Sequence, residues 1–101
     1  METIDQKQLE DLQSKGKKIL VQYTAAWCGP CRALTPKLAN MSNSFSDVDF
    51  VKIDVEENPE ITQELMISSV PTVIVYKGNE IIDRSRGVQP DHYYKEILNN
   101  L

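Results

Sequence analysis

The segment Ile19-Leu20-Val21-Gln22-Tyr23-Thr24-Ala25 constrains the fold of this chain more than any other. Apolar residues occupy both of its faces, as in a strand covered on two sides; a half-solvated strand would alternate instead. It runs into Ala26-Trp27-Cys28-Gly29-Pro30-Cys31, after which Leu34, Leu38, Met41 and Phe45 form an apolar stripe at spacings of four, three and four. That spacing predicts a helix with one buried face. A central strand therefore feeds a helix, and two cysteines lie at the junction.

Upstream, Thr3-Ile4 reads as a short edge strand. Asp5 and Gln8 have the spacing of a capping box for a helix that turns Leu9 and Leu12 inward and stops at Gly16. Downstream, Val48 to Val55 reads as another strand, and Asn58-Pro59 as an N-cap with proline at the first position of a short helix carrying Ile61 and Leu65. Val73 to Tyr76, Gly78-Asn79 and Ile81-Ile82 read as a hairpin, with Gly78 and Asn79 expected to supply positive φ angles. Pro90-Asp91 leads a last helix with Tyr93, Tyr94, Ile97, Leu98 and Leu101 on one face.

The order β-α-β-α-β-α-β-β-α, with no repeat, linker or low-complexity tract, predicts an α/β fold with a central mixed β-sheet flanked by helices on both faces. With 101 residues and 41% hydrophobic content there is material for one core, so the expectation is a single domain over residues 1–101. Net charge is −4 and Lys and Arg are scattered, which argues against a nucleic-acid or anionic-membrane surface and for protein or small-molecule partners. No run approaches the roughly 18 apolar residues of a membrane span. Met1-Glu2-Thr3-Ile4-Asp5 lacks the basic and apolar regions of a secretory signal, so the expected location is cytoplasmic.

The cysteine spacing carries the chemistry. A Cys-x-x-Cys pair at the start of a helix brings two sulfurs within bonding reach, and the free backbone N–H groups there favour a thiolate on the first. A bridge across so short a loop constrains the unfolded chain by only roughly 2 kcal/mol, against about 3 for a 15-residue loop, so a structural staple explains it poorly. Where thiols are kept reduced, the pair is a cycling redox couple or half of a metal site. Tetrahedral zinc asks for four ligands, and the only histidine, His92, lies far along the last helix, which favours the redox reading. Read alone, Trp27 is a core or partly buried aromatic, Pro71 a trans proline opening a strand, Gly87 a turn breaker, Pro36 a helix bend and His92 a solvated helix residue.

Ala26-Trp27-Cys28-Gly29-Pro30-Cys31 after a buried strand, Val70-Pro71-Thr72 before another, and Gly87 ahead of the last helix together resemble the thioredoxin family, over essentially the whole chain. The resemblance implies the thioredoxin fold and a protein disulfide reductase that acts as a general cytoplasmic electron donor. Cys28 would be the exposed nucleophile attacking a target disulfide, and Cys31 the buried thiol that resolves the mixed disulfide. Trp27, Gly29 and Pro30 would frame the sulfurs, Pro71 would be a cis-proline beside them, and the Val70 backbone would pair with bound substrate as an added strand. Gly87 and Val88 would complete a shallow apolar patch. The implied partners are thioredoxin reductase and disulfide-containing proteins; no cofactor or metal is implied, and a monomer suits a small exposed site. Gly-Pro between the cysteines, where disulfide isomerases carry Gly-His, points to a reductant.

One departure touches mechanism. Gln22 stands where the family carries a buried Asp on the strand under the active site, near a lysine that Lys52 matches. Gln22 hydrogen-bonds but cannot titrate, so no side-chain base is available there. Gln22 and Lys52 are thus the candidate proton-relay or tuning residues: resolution relies on water, or Lys52 accepts the Cys31 proton, or Gln22 and Lys52 merely hydrogen-bond in the fold. A weakened relay also keeps two other functions open, a thioredoxin-like binding or scaffold subunit and a low-flux donor dedicated to one partner.

Overall fold

The computed structural model describes residues 1–101. Its elements follow the expected order: β1 (Glu2–Thr3), α1 (Gln6–Ser14), β2 (Lys18–Thr24), α2 (Gly29–Ser42), β3 (Val48–Asp54), α3 (Pro59–Glu64), β4 (Thr72–Lys77), β5 (Glu80–Arg86) and α4 (Asp91–Asn99). They build one five-stranded sheet in the order β1-β3-β2-β4-β5, with β1, β3 and β2 parallel and β4 and β5 antiparallel. The doubly apolar segment is the middle strand, as its pattern requires.

Alternation along β2 sorts the core into two layers. Ile19, Val21 and Tyr23 pack with Leu9 of α1 and Ile61 of α3, while Leu20 packs with Leu34, Leu38 and Met41 of α2 and with Tyr94 and Leu98 of α4. Gln22 shares the face of Leu20 and is fully buried, so the one buried amide of the central strand is aimed at α2. Inside the first layer Tyr23 and Tyr76 join their hydroxyls at 2.7 Å, and burial pushes the ionisation of both phenols up.

The Asp5–Gln8 capping box forms as expected, with Gln8 N–H donating to Asp5 Oδ1 at 2.8 Å and Asp5 N–H donating to Gln8 Oε1 at 2.9 Å. Three local expectations need correcting. Phe45 lies beyond the end of α2 and packs half-buried against the second layer from the turn before β3, so the stripe outlasts the helix. Gly78 alone has positive φ in the hairpin, +59°, with Asn79 outside that region, as befits a two-residue loop with glycine first. Asn58 sits at the N-cap of α3 but makes no capping bond: its Oδ1 accepts from Gln6 N–H at 3.0 Å and its Nδ2 donates to the Asp54 carbonyl at 2.9 Å. Cross-linking two helix starts has displaced the local cap.

Candidate active site

The site stands where β2 passes into α2. Cys28 is the N-cap residue of α2, and Pro30, where a missing N–H costs nothing, and Cys31 both lie in its first turn. The two cysteines form a disulfide with Cα atoms 5.3 Å apart. Cys28 Sγ also accepts the Cys31 backbone N–H at 3.2 Å, so this sulfur occupies the place of a capping oxygen. A helix N-terminus is a site of positive potential, and sulfur held there is favoured as thiolate once the disulfide opens.

The expected exposure of Cys28 is not what the oxidised site presents. Cys28 is 3% exposed and Cys31 1%, because the N-cap position folds the first sulfur back over the helix start and against Ala25 and Val70. What faces solvent is the frame: Trp27 is 66% exposed, and Gly29 and Pro30 are exposed beside it. Trp27 is anchored by its indole N–H, which donates to Glu56 Oε1 at 3.0 Å.

The Val70–Pro71 peptide is cis, and Val70 packs half-buried against the Ala25–Cys28–Cys31 cluster. Pro71 accepts from Gly87 N–H at 2.8 Å through its carbonyl, and Gly87, with φ +75°, turns the chain out of β5 there, leaving Val88 exposed next in sequence. A shallow groove between Trp27 and Val70 is completed by Val55, Ile67, Ser68 and Ser69. The structure thus gathers Trp27, Cys28, Cys31 and Val70 directly and ties Gly87 to Pro71.

Beneath the disulfide, Gln22 Nε2 donates to the Cys31 carbonyl at 3.1 Å, and Thr35 Oγ1 lies 3.1 Å from Gln22 Oε1 and 3.0 Å from the same carbonyl. Of the two residues read as hydrogen-bonding in the fold, Gln22 does so, while the Lys52 side chain has no hydrogen-bond partner in the protein. Lys52 pairs with Gln22 in strand register, is half-buried, and with Cys31 lines a cavity of about 210 Å³ beside α2. Sequence reading missed Glu56, Thr35 and Asp54. The helical spacing of Thr35 from Cys31 and the strand register of Asp54 two residues after Lys52 were the available signals, both local and easily read as side chains that simply face water.

A mixed sheet between two helical layers, with a Cys-x-x-Cys disulfide at a helix N-terminus packed against Val70 of a cis Val70–Pro71 peptide, defines a thiol-disulfide oxidoreductase. The chain belongs to the thioredoxin family, whose model matches residues 1–100. It is 36% identical to Thioredoxin H2 of Arabidopsis thaliana over 86% of this chain, and spans only 65% of that relative. It is 35% identical to the thioredoxin of Mycoplasma genitalium over 93% of this chain and 92% of the relative. The solved thioredoxin of Plasmodium falciparum superposes with a TM-score of 0.88 at 29% identity, covering 99% of this chain and 98% of that one.

Proposed function

We propose that this chain reduces disulfides in other proteins and is itself reset by thioredoxin reductase, in the cytoplasm and as a monomer. The observation that carries the reading is Cys28 Sγ at the N-cap of α2 with Cys31 in bonding reach. Cys28 thiolate attacks a substrate disulfide, one substrate sulfur leaves, and Cys31 displaces the other by attacking Cys28 Sγ, which re-forms the disulfide seen here. Trp27, Gly29, Pro30, Val70, Pro71, Gly87 and Val88 bind the substrate: the exposed residues give a shallow apolar face, and the Val70 backbone offers an edge for a short extended segment. Gln22 and Lys52 tune the resolving thiol, Gln22 through the Cys31 carbonyl and Lys52 as a cation on the wall of the adjoining cavity.

Insulin disulfide reduction driven by dithiothreitol tests this. Native chain is expected to be active and Cys28→Ser inactive. Little activity in the native chain itself would move the function to a donor dedicated to one partner or to a binding or scaffold role for the same face.

A further inference from the structure

Gln22 removes the titratable group from beneath Cys31, yet the resolving step still has to dispose of a proton. The Cys31 thiol gives up that proton, its sulfur attacks Cys28 Sγ, the Cys28–Cys31 bond forms, and the substrate sulfur departs as a thiolate. Solvent meets Cys31 along the cavity it shares with Thr3, Thr24, Ala25, Ala26, Arg32, Thr35, Lys52 and Asp54. Its rim is open, since Thr3, Ala26 and Arg32 are exposed, and about 210 Å³ with hydroxyl and charged walls has room for a short chain of water.

One carboxylate stands on that wall. Asp54 is the last residue of β3, opposite Thr24 and two residues beyond Lys52, so strand alternation puts it on the α2 side of the sheet with Gln22 and Lys52. Its Oδ1 accepts the backbone N–H groups of Glu56 at 2.8 Å and Glu57 at 3.3 Å, which fixes the carboxylate, while Oδ2 has no protein partner. Neither Asp54, Lys52 nor Arg32 is taken up in an ion pair. The charged groups facing Asp54 across the cavity are Arg32 from α2 and Lys52 from its own strand; β1 and β2 contribute only the hydroxyls of Thr3 and Thr24.

The geometry points to Asp54 as the terminal proton acceptor for Cys31, reached through water, in place of the buried acid that Gln22 displaces. The inference rests on the disulfide-reductase reading above. An ammonium offers three donors and no acceptor, whereas the free Oδ2 of an ionised carboxylate can take a proton. Asp54 acts at a distance from the reacting sulfurs, across the cavity that Cys31 also lines.

Stopped-flow reaction of the reduced chain with excess 5,5′-dithiobis(2-nitrobenzoate) separates the steps. The first equivalent of thionitrobenzoate reports attack by Cys28, and the second reports resolution by Cys31. Asp54→Asn keeps an Oδ1 acceptor for the Glu56 and Glu57 amides and removes only the charge. Its second phase is expected to slow about tenfold near pH 6, a modest effect for general-base help through water, with the first phase unchanged. The native second phase should depend weakly on pH between about 5 and 8, and that of Asp54→Asn should steepen toward one decade per unit. Asp54→Glu should restore rate and profile, and the urea midpoint of each variant guards against a folding effect. A second phase in Asp54→Asn with native rate and profile overturns the inference, as does a loss in Lys52→Met that Asp54→Asn does not share. Failure of the reductase reading looks different: no second equivalent from the native chain, or a first phase that survives Cys28→Ser.

Discussion

Gln22 donates its Nε2–H to the backbone carbonyl of Cys31 at 3.1 Å, so the middle of the central strand is tied to the helical turn that carries the resolving thiol. The amide is held in that sense by Thr35, whose single hydroxyl proton has two acceptors in reach, Gln22 Oε1 and the Cys31 carbonyl. Given to Gln22 Oε1, it satisfies the buried amide oxygen, while the carbonyl already receives Nε2–H. The result is a neutral, fully bonded support under the disulfide.

Gln22→Asp places a carboxyl in that support. The shorter side chain loses at least one of the two bonds and buries an ionisable group, so stability of the oxidised chain is expected to fall by about 1–3 kcal/mol. The same carboxyl offers Cys31 a direct base, and the second thionitrobenzoate phase near neutral pH should quicken, most visibly when Asp54→Asn has closed the other route. Urea unfolding and the stopped-flow trace read the two effects separately; a second phase no faster than native in either background counts against a base-limited resolving step.

The Tyr23–Tyr76 hydroxyl pair predicts an alkaline limit to stability. Burial raises both ionisations above the ordinary tyrosine value, so the fold prefers the neutral phenols. Their contribution is complete below about pH 10, the unfolded value, and is lost as pH rises beyond it because the unfolded chain ionises first. Tyr23→Phe or Tyr76→Phe alone strands the partner hydroxyl in the core and should cost about 1–3 kcal/mol at neutral pH; the double variant should cost less than the sum. It should also flatten the decline in urea midpoint above about pH 10. Strict additivity of the two single variants would show that the pair is not coupled.

What the sequence made legible divides by range. The doubly apolar run over residues 19–25, the helical stripe of Leu34, Leu38 and Met41, and the capping box at Asp5 and Gln8 each encode a local preference that the fold keeps. The cysteines were readable because four consecutive residues carry the whole geometry. Asn58 was misread because its side chain serves Gln6, 52 residues earlier, and no local pattern reports such a partner. Glu56 and Asp54 were passed over for the same reason: an acidic residue after a strand looks solvated until Trp27 or the cavity beside Cys31 is folded against it. The burial of Cys28 was likewise invisible, since it follows from the sulfur turning back onto Cys31 N–H.

Asn58 is expected to matter for stability and not for chemistry. Its side chain joins the start of α1 to the end of β3, and Gln6 reciprocates by accepting from Ile61 N–H at 3.1 Å. Asn58→Ala leaves a partly buried donor and an acceptor unpaired, at about 1–2 kcal/mol. The urea midpoint should drop with an unchanged slope, and insulin reduction at low temperature should match native. An unchanged midpoint would mean that water replaces both bonds at no cost.

Met66 predicts the opposite sign. It is the one non-glycine residue with positive φ, +53°, just past the C-terminal end of α3, and its side chain is 80% exposed and so packs against little. An L side chain in that left-handed conformation costs about 1 kcal/mol or more, and glycine is the residue that helix ends ordinarily place there. Arg84 holds the turn in shape by donating to the carbonyls of Leu65 and Met66, so the conformation does not depend on the methionine side chain. Met66→Gly should therefore raise stability by about 0.5–1 kcal/mol after the extra entropy of an unfolded glycine is subtracted. Met66→Ala, which keeps a Cβ, should give no such gain. Urea midpoints of the two variants decide it: a drop in Met66→Gly would show that the exposed side chain contributes more than its backbone strain removes.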